Sequence, residues 1–386
     1  MDLKERASRV LAQGFGGTNS KRWTSYVEAT PAFLDRGEGC YVYDEKGKKY
    51  LDMVCSLGAI ILGHRHPKVT EAVEKQLKKG TLFSMESPLV LEVAEKIRDI
   101  IPCAESVRFF CNGNDATTAA VRIARTWTGN SQVESYGYHG CGDIWTSLTP
   151  PAIGVKDKFS IVNEGSDFNA ATITICEPIE TDDGKARKEW LTEKRSDSKC
   201  LIFDEIITGF RVPNYSVASW WRITPDLICL GKACANGFPL SIVAGRSEVM
   251  NCGEYFLSAT FSGNCISLAA CNATLDELRK QNMEEYMFYA KRIQQKFNDI
   301  CKPINVKIVG YGTRGMIAMD KINDWLLMQE LAKAGIFIGK AWFFSIAHLQ
   351  ANIEEFLLNA VSDAVNNIKN GRVRLEGPPP TQTFRR

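Results

Sequence analysis

Acidic and basic side chains directly follow two apolar runs of the sequence. Catalytic residues are common at such positions. The run CLIF ends in Asp204 and Glu205, and the run LICLG ends in Lys232, which is followed by small or uncharged residues. If both runs are strands of one parallel sheet, these side chains lie at its carboxyl edge, where open α/β folds bind ligands. A lysine amine, with an ordinary pKa of about 10.4, must lose a proton to act as a nucleophile, and desolvation or a nearby cation promotes that loss.

A third segment has the pattern of an anion site. The small and polar residues 112–115 lie between an apolar run at 107–111 and a helical pattern at 116–126. Free N–H groups at a helix N-terminus, with a partial charge of about +0.5, hold a phosphate without a lysine. Each of the three segments also has an ordinary interpretation, namely a capped turn, a helix-capping acid and a surface lysine.

The three segments together are more specific than any one alone. A phosphate cradle, an acid and a desolvated lysine at three strand ends are what pyridoxal 5′-phosphate (PLP) requires: an anchor, a partner for the pyridine nitrogen and an amine for the Schiff base. A carboxylate about 3 Å from the ring nitrogen keeps that nitrogen protonated, and such a pair contributes several kcal/mol at an effective dielectric of about 20. The sequence therefore predicts PLP as the cofactor.

The elements around these segments alternate between strands and helices. Short β-rich runs are separated by helical patterns, which is typical of βαβ units and a parallel sheet; the runs are 107–111, 172–176, 201–203, 227–230 and 242–244. From about residue 265 the pattern changes to amphipathic helices at 267–279 and 284–300, followed by a short α+β tail at 305–368. The middle of the chain is therefore predicted to be α/β, with a second, smaller domain after it.

The N-terminal part is predicted to join one of these two domains. It contains β-like pieces at 32–34 and 40–43 joined by a turn-like linker at 36–39, and they could pack on the tail or on the large sheet. We predict the following division: 1–50 an N-terminal segment of the small domain, 51–275 the large PLP-binding domain, 276–372 the C-terminal small domain and 373–386 a disordered tail, because RLEGPPPTQTFRR has few apolar groups.

The composition is that of an ordinary folded protein. The 386 residues are 45 % hydrophobic and 24 % charged, and the net charge is +2, which disfavours disorder and leaves no field to attract nucleic acid. With no apolar run of 18 residues and no secretory signal, we expect a cytoplasmic protein without membrane contact. The thirteen cysteines form no C-x-x-C pair, so we expect reduced, buried thiols and no metal site.

With these motifs assembled, the sequence resembles the class III aminotransferases, in the branch that contains glutamate-1-semialdehyde aminomutase. The resemblance extends over nearly the whole chain and is most specific in DEIITGFR and GKACANGFP, where Lys232 follows Asp204 by 28 residues. It implies a fold type I α/β architecture: a mainly parallel seven-stranded sheet in the large domain and a smaller α+β domain formed by both termini. It also implies a homodimer with shared active sites.

The resemblance further implies a role for each matching residue. Lys232 is the Schiff-base lysine and general base, and Asp204 binds the pyridine nitrogen. Thr260 reaches the phosphate of the neighbouring subunit. The remaining cofactor contacts are the phosphate cradle of Asn112, Gly113 and Asn114, the ring-stacking Tyr138 and Ile206, and the neighbouring His139. Glu177, at a strand end before a proline, is a further candidate for the cofactor pocket, and Arg22 is the candidate for a substrate anion because arginine offers a bidentate fork.

Some positions depart from the family pattern. The cradle has the sequence CNGND where the family usually has N-S-G-T-E, and SLGA at 56–59 replaces the usual S-W-G-P, which removes a tryptophan from the implied substrate pocket. The acidic gating position of the aminomutase falls at Lys340 in a gapless placement. These differences argue against the semialdehyde as substrate and suggest rearranged phosphate contacts.

Three functions remain open at this point. The first is an aminotransferase that moves an amino group between a small amino donor and a keto or aldehyde acceptor through Lys232. The second is an aminomutase, an isomerase that transfers the amino group within one molecule. The third is a catalytically silent binding protein on the same fold. A nicotinamide dehydrogenase is disfavoured because no G-x-G-x-x-G follows an early strand.

Overall fold

A computed structural model describes residues 2–11, 26–146, 161–163, 173–180, 186–318 and 321–380. The chain forms two compact units, one made of Met1–Arg65 with Phe288–Arg386 and the other of His66–Met287. The strands are β1 Leu34–Glu38, β2 Tyr41–Asp44, β3 Lys49–Asp52, β4 Ser106–Phe110, β5 Val133–Tyr136, β6 Ile161–Asn163, β7 Ile173–Cys176, β8 Cys200–Glu205, β9 Leu227–Leu230, β10 Ser241–Gly245, β11 Ile308–Gly310, β12 Arg314–Ile317, β13 Ile336–Phe337 and β14 Ala341–Phe343.

Helices of very different lengths connect these strands. They are α1 Leu3–Val10, α2 Cys55–Gly58, α3 Pro67–Leu77, α4 Pro88–Ile100, α5 Gly113–Thr128, α6 Asp143–Thr146, α7 Lys188–Asp197, α8 Val217–Trp221, α9 Ser247–Met250, α10 Cys265–Leu278, α11 Met283–Cys301, α12 Ile322–Lys333, α13 Ile346–Gln350 and α14 Glu354–Lys369. None of those in the described ranges is long and apolar enough to cross a membrane.

The unit His66–Met287 is built on a seven-stranded sheet in the order β4-β10-β9-β8-β7-β5-β6. Strand β10 runs antiparallel to β4 and β9, and the other neighbouring strands are parallel. Strands β8 and β9 are buried along their whole length, which is why they read as continuous apolar runs in the sequence. The predicted mainly parallel seven-stranded sheet is confirmed.

Helix α5 packs on this sheet through small side chains. Its buried face is rich in alanine, which lets the helix approach the strands closely. The helix begins after Asn112, whose side chain caps it, and ends at Gly129, whose φ of 66° suits a left-handed C-cap. The Ser241 hydroxyl donates to the Asn112 carbonyl oxygen at 2.6 Å, so the start of α5 is fixed to β10.

In the other unit, both ends of the chain share one sheet. Its order is β1-β2-β3-β13, and β13 pairs in parallel with β3, with Ile336 opposite Leu51. The N-terminal strands therefore pack on the C-terminal part, the first of the two arrangements that the sequence allowed. A second sheet, β11-β12-β14, completes the strands of this unit, which confirms the smaller α+β domain formed by both termini. Gln329 bonds to the Arg374 carbonyl oxygen and the Glu376 N–H, and these contacts hold part of the C-terminal segment 373–380.

The predicted turn at 36–39 is wrong. Strand β1 continues through Glu38 and pairs with β2. Gly37 serves close packing, because the His64 ring lies 2.6 Å from where a Cβ atom would stand, and this contact explains a glycine within a strand. The turn begins at Gly39, with a φ of 57°.

Glu205 is a fully buried carboxylate that fastens α8 to the end of β8. Its two oxygens accept the N–H groups of Val217 at 2.7 Å and Ala218 at 2.9 Å, and the Thr208 hydroxyl donates to it at 2.9 Å. Burial raises the pKa of this carboxyl to about 7 despite the lowering effect of the three hydrogen bonds. Glu205 therefore has a structural role, and Asp204 is left as the acid of the site.

Glu205→Gln should change how the stability of the fold depends on pH. Because the pKa of this carboxyl in the folded protein lies above its ordinary value of 4.5, its contribution to stability is complete below that pH and is lost as the pH rises through about 7. We expect the free energy of unfolding of the wild type, relative to the variant, to fall by about 3 kcal/mol between pH 4.5 and roughly pH 8 in urea titrations. Glu189→Gln, at an exposed position of α7, is the matched control; a difference that does not vary with pH would contradict the prediction.

Candidate active site

The polar residues at the carboxyl ends of β7, β8 and β9 form the centre of the candidate site. The three strands are adjacent and parallel, with Cys176 opposite Phe203 and Asp204 opposite Cys229. Glu177 follows β7, Asp204 lies near the end of β8, and Lys232 follows β9. Burial raises the pKa of the Cys176 and Cys229 thiols well above the ordinary value, so neither thiol is a nucleophile here.

Asp204 is buried and bonded to His139. Its Oδ2 lies 2.7 Å from His139 Nδ1, and its Oδ1 accepts the Ile206 N–H at 3.1 Å. A carboxylate only accepts hydrogen bonds, so the ring proton of His139 stands on Nδ1. His139 Nε2 is buried and has no hydrogen-bond partner among the described residues, and the ring of Trp145 packs edge-on against this imidazole with centroids 5.2 Å apart.

Lys232 begins a short 3₁₀ turn, Lys232–Ala235, and has left-handed backbone geometry. Its φ is 42°, a conformation that costs a residue other than glycine about 1 to 2 kcal/mol. Strained backbone of this kind is frequent at functional sites, where the surrounding structure holds it in place. The turn is well held, since Ala233, Cys234 and Ala235 are buried and pack against α10.

Ile206 connects the lysine turn to the start of α5. A Cβ atom on Gly113 would stand 3.1 Å from Ile206 Cγ2, and one on Gly231 would stand 3.0 Å from Ile206 Cδ1. The isoleucine side chain thus packs against both glycines. Ile206 therefore lies between Gly113 and Gly231, and Lys232 adjoins the second of these glycines.

The predicted phosphate cradle has its side chains engaged elsewhere. Asn112 Oδ1 accepts the Asp115 N–H at 3.0 Å, and its amide donates to Asp115 Oδ2 at 2.7 Å. Asn114 Oδ1 accepts the Gly142 N–H at 2.8 Å. The backbone N–H groups of Gly113 and Asn114, in the first turn of α5, have no carbonyl within the helix to bond. The start of α5 fits a phosphate through backbone N–H groups and the helix dipole, without side-chain amides.

The backbone of Tyr138 is hydrogen-bonded to the side chain of Glu177. The Tyr138 N–H donates to Glu177 Oε2 at 3.0 Å, and Glu177 is buried while Tyr138 is 41 % exposed. The tyrosine ring is therefore accessible to a ligand. The Glu177 carboxylate lies against Gly137, 2.6 Å from where a Cβ atom would stand.

Two predicted residues are not part of this cluster. Thr260 lies in an exposed turn between β10 and α10. Arg22 lies outside the described residues. The described part of the chain has no group of three His, Cys, Asp or Glu side chains fit to hold a metal ion.

Comparison with known proteins identifies the family of the chain. The model of the family described as aminotransferase class-III matches residues 24–165 and 166–346. The chain belongs to the class III aminotransferase family. This membership confirms the prediction of an enzyme that depends on PLP.

The relatives of this class III chain carry aminomutase names. A glutamate-1-semialdehyde 2,1-aminomutase of Methanothermobacter thermautotrophicus is 30 % identical over 423 aligned residues, covering 96 % of this chain and 99 % of that protein. An enzyme of the same name from Saccharolobus islandicus is 35 % identical over 315 residues, 72 % of each chain. Among solved structures, the FumI protein of Sphingopyxis sp. MTA144 in its PLP internal aldimine form shares the fold, with a TM-score of 0.88, 23 % identity and 98 % of each chain covered.

Two further residues, absent from the sequence-based prediction, bond to residues of the candidate site. Thr117, fully buried in α5, donates its hydroxyl proton to the His139 carbonyl oxygen at 2.6 Å. Ser241 holds the Asn112 carbonyl from β10. A hydroxyl residue within a helix or a strand is ordinary in sequence, so no local signal distinguishes either of them.

Asp204→Asn should slow amino transfer by about a hundredfold or more while PLP stays bound. An amide keeps the shape of the side chain but lacks the negative charge that we expect to hold the proton on the pyridine nitrogen. Steady-state kinetics give the loss of rate, and the visible absorption of the purified variant reports retained PLP. Asp197→Asn, at the exposed end of α7, is the control. An unchanged rate in Asp204→Asn would remove Asp204 from the mechanism.

Proposed function

We propose that this chain transfers an amino group with PLP through a Schiff base at Lys232. The observation that carries the proposal is the arrangement around Ile206, which packs against Gly113 at the start of α5 and against Gly231 beside Lys232. An anion site and a strained lysine are thereby brought onto one surface. Asp204, two residues before Ile206 on the same strand end, supplies the acid.

The chemistry divides between the cofactor and the residues of the chain. When bound, PLP supplies the electron sink that makes the α-proton of an amine acidic. Asp204, held by His139, would keep a proton on the pyridine nitrogen. Lys232 Nζ would accept and return the α-proton as general base. Ile206 and the exposed ring of Tyr138 would orient the cofactor, and the N-terminus of α5 would bind its phosphate.

The relatives favour one of two versions of this reaction. In the first, a small amino donor and a separate keto or aldehyde acceptor react in turn. In the second, the amino group moves within one molecule, as the names of the aminomutase relatives describe. Those names favour the intramolecular version over the aminotransferase, whereas SLGA at 56–59 and the lysine at position 340 depart from the aminomutase pattern.

An assay without any amino donor separates the two versions. The purified enzyme, loaded with PLP, is incubated with glutamate 1-semialdehyde alone, and the isomer with the amino group moved from C2 to C1 is quantified. Steady formation of this isomer identifies an aminomutase. Turnover only when a separate amino donor and a carbonyl acceptor are both added identifies an aminotransferase. If no visible absorption stays with the protein after PLP is added and the unbound PLP is removed, the proposed function is contradicted and a binding protein is favoured.

The active form is proposed to be a homodimer. Thr260 is exposed between Phe256, 80 % exposed, and Phe261, 60 % exposed. Large exposed apolar side chains, when they cluster, are typical of interaction surfaces. A second copy covering this turn would place Thr260 at its neighbour's phosphate site. The reducing cytoplasm is the proposed compartment, because the thirteen cysteines are all free thiols.

Lys232→Ala should abolish turnover and leave the fold intact. The variant lacks the amine that forms the Schiff base and moves the α-proton. Borohydride treatment should attach the cofactor covalently to the wild type and to Lys199→Ala, a control at an exposed lysine beside β8, but not to Lys232→Ala. Far-UV circular dichroism checks the fold. Normal turnover in Lys232→Ala would show that Lys232 is not the Schiff-base lysine.

A further inference from the structure

Residues 137–142, the crossing segment, pass over the end of the sheet between β5 and α6. In strand order β7 lies between β5 and β8, and the segment contacts both of these neighbours: Tyr138 bonds to Glu177 after β7, and His139 bonds to Asp204 on β8. The segment therefore carries the proposed stacking ring and the partner of the proposed pyridine acid across the site. The position of the segment therefore determines where the side chains of Tyr138 and His139 lie.

Two side chains of α5 also hold the crossing segment. The Thr117 hydroxyl donates to the His139 carbonyl oxygen at 2.6 Å, and Asn114 Oδ1 accepts the Gly142 N–H at 2.8 Å. Thr117 is 1 % exposed, so water does not compete for its bond. These two bonds tie the segment to the first two turns of the helix whose N-terminus fits the phosphate.

Gly140 and Gly142 have no side chain, and this allows the backbone of the segment to approach Asn114 closely. The Asn114 Oδ1 atom lies 2.5 Å from where a Cβ atom of Gly140 would stand and 2.9 Å from that of Gly142. Gly140 also has a φ of 136°, which side chains rarely allow. The backbone of the crossing segment therefore packs closely against the Asn114 side-chain oxygen, which accepts the Gly142 N–H.

We propose that Thr117 and Asn114 are positioning residues, which set Tyr138 and His139 relative to the cofactor by tying the crossing segment to the first two turns of α5. The inference rests on the proposed function and deepens it. One rigid helix end then fixes both the phosphate and the groups that act on the ring. Asn114 belongs to the cofactor site through its backbone N–H, and its side chain serves the segment.

Thr117→Val tests the tether with the least disturbance of shape. Valine keeps the volume and branching of threonine but has no hydroxyl to donate, so the His139 carbonyl loses its bond. Thr117→Ser restores the donor. Thr128→Val makes the same change at the other end of α5, where the hydroxyl bonds to the Ala124 carbonyl oxygen within the helix, and is the matched control.

Two measurements on the PLP-loaded proteins follow the segment and the reaction separately. Peptide-resolved hydrogen exchange of residues 137–142 should be faster by about tenfold in Thr117→Val than in Thr117→Ser or Thr128→Val, the ratio expected for one lost hydrogen bond. Stopped-flow measurement of the reaction with the amino substrate should give a similar fall in kcat with KM changed by less than about twofold. A role limited to helix stability would change neither value more than Thr128→Val does.

Asn114→Ala is the second variant, and it keeps the inference testable if Thr117→Val does not fold. It frees the Gly142 N–H, so exchange of the segment should again be faster while the backbone phosphate contacts remain. If the wild type binds PLP and reacts but both variants equal Thr128→Val in exchange and kcat, the positioning role is wrong and the proposed function stands. If the wild type does not bind PLP, the proposed function fails, and the exchange measurement on the unloaded proteins still decides whether the tether exists.

Discussion

A carboxylate buried at the end of β8 requires a hydrogen-bond donor, and the donor comes from beyond the neighbouring strand. His139 reaches Asp204 only because residues 137–142 cross the end of β7, and the crossing is held by Glu177, Thr117 and Asn114. An unpaired buried acid would cost several kcal/mol, so the pair constrains its surroundings as much as it serves chemistry. Because β5, β7 and β8 are parallel neighbours, the segment that follows β5 begins at the same edge of the sheet as Asp204, and His139 can reach the carboxylate.

The part of the fold that bears the motifs follows directly from the sequence. Strands β8 and β9 are buried along their whole length, and each contains an apolar run of four residues, so their ends were predictable together with Asp204 and Lys232. Strand β5 was not predicted, because its residues Glu134 and Ser135 are polar although buried. The partner of Glu134 is Lys194, which lies 60 residues further along the chain. No local sequence pattern predicts an ion pair between residues so far apart.

In the candidate site, too, the sequence indicates the local features but not the contacts between residues far apart in the chain. Residue types at strand ends indicate which atoms can bind a phosphate, hold a ring proton or attack a carbonyl. They do not indicate what each side chain bonds to once the chain is folded. Asn112 and Asn114 look equivalent in sequence, yet one caps α5 and the other holds Gly142. The identity of Thr117 as a tether depends on a contact across 22 residues that only the folded chain makes.

The pairing of β3 with β13 has a consequence for the order in which the protein folds during synthesis. The first 65 residues belong to a unit whose remainder begins at Phe288. The sheet cannot close until Ile336 and Phe337 have left the ribosome, whereas His66–Met287 is complete well before then. Domains generally fold as units as they emerge. The middle of the chain is therefore free to fold first, while β1, β2 and β3 wait with one edge unpaired for the last strand of their sheet.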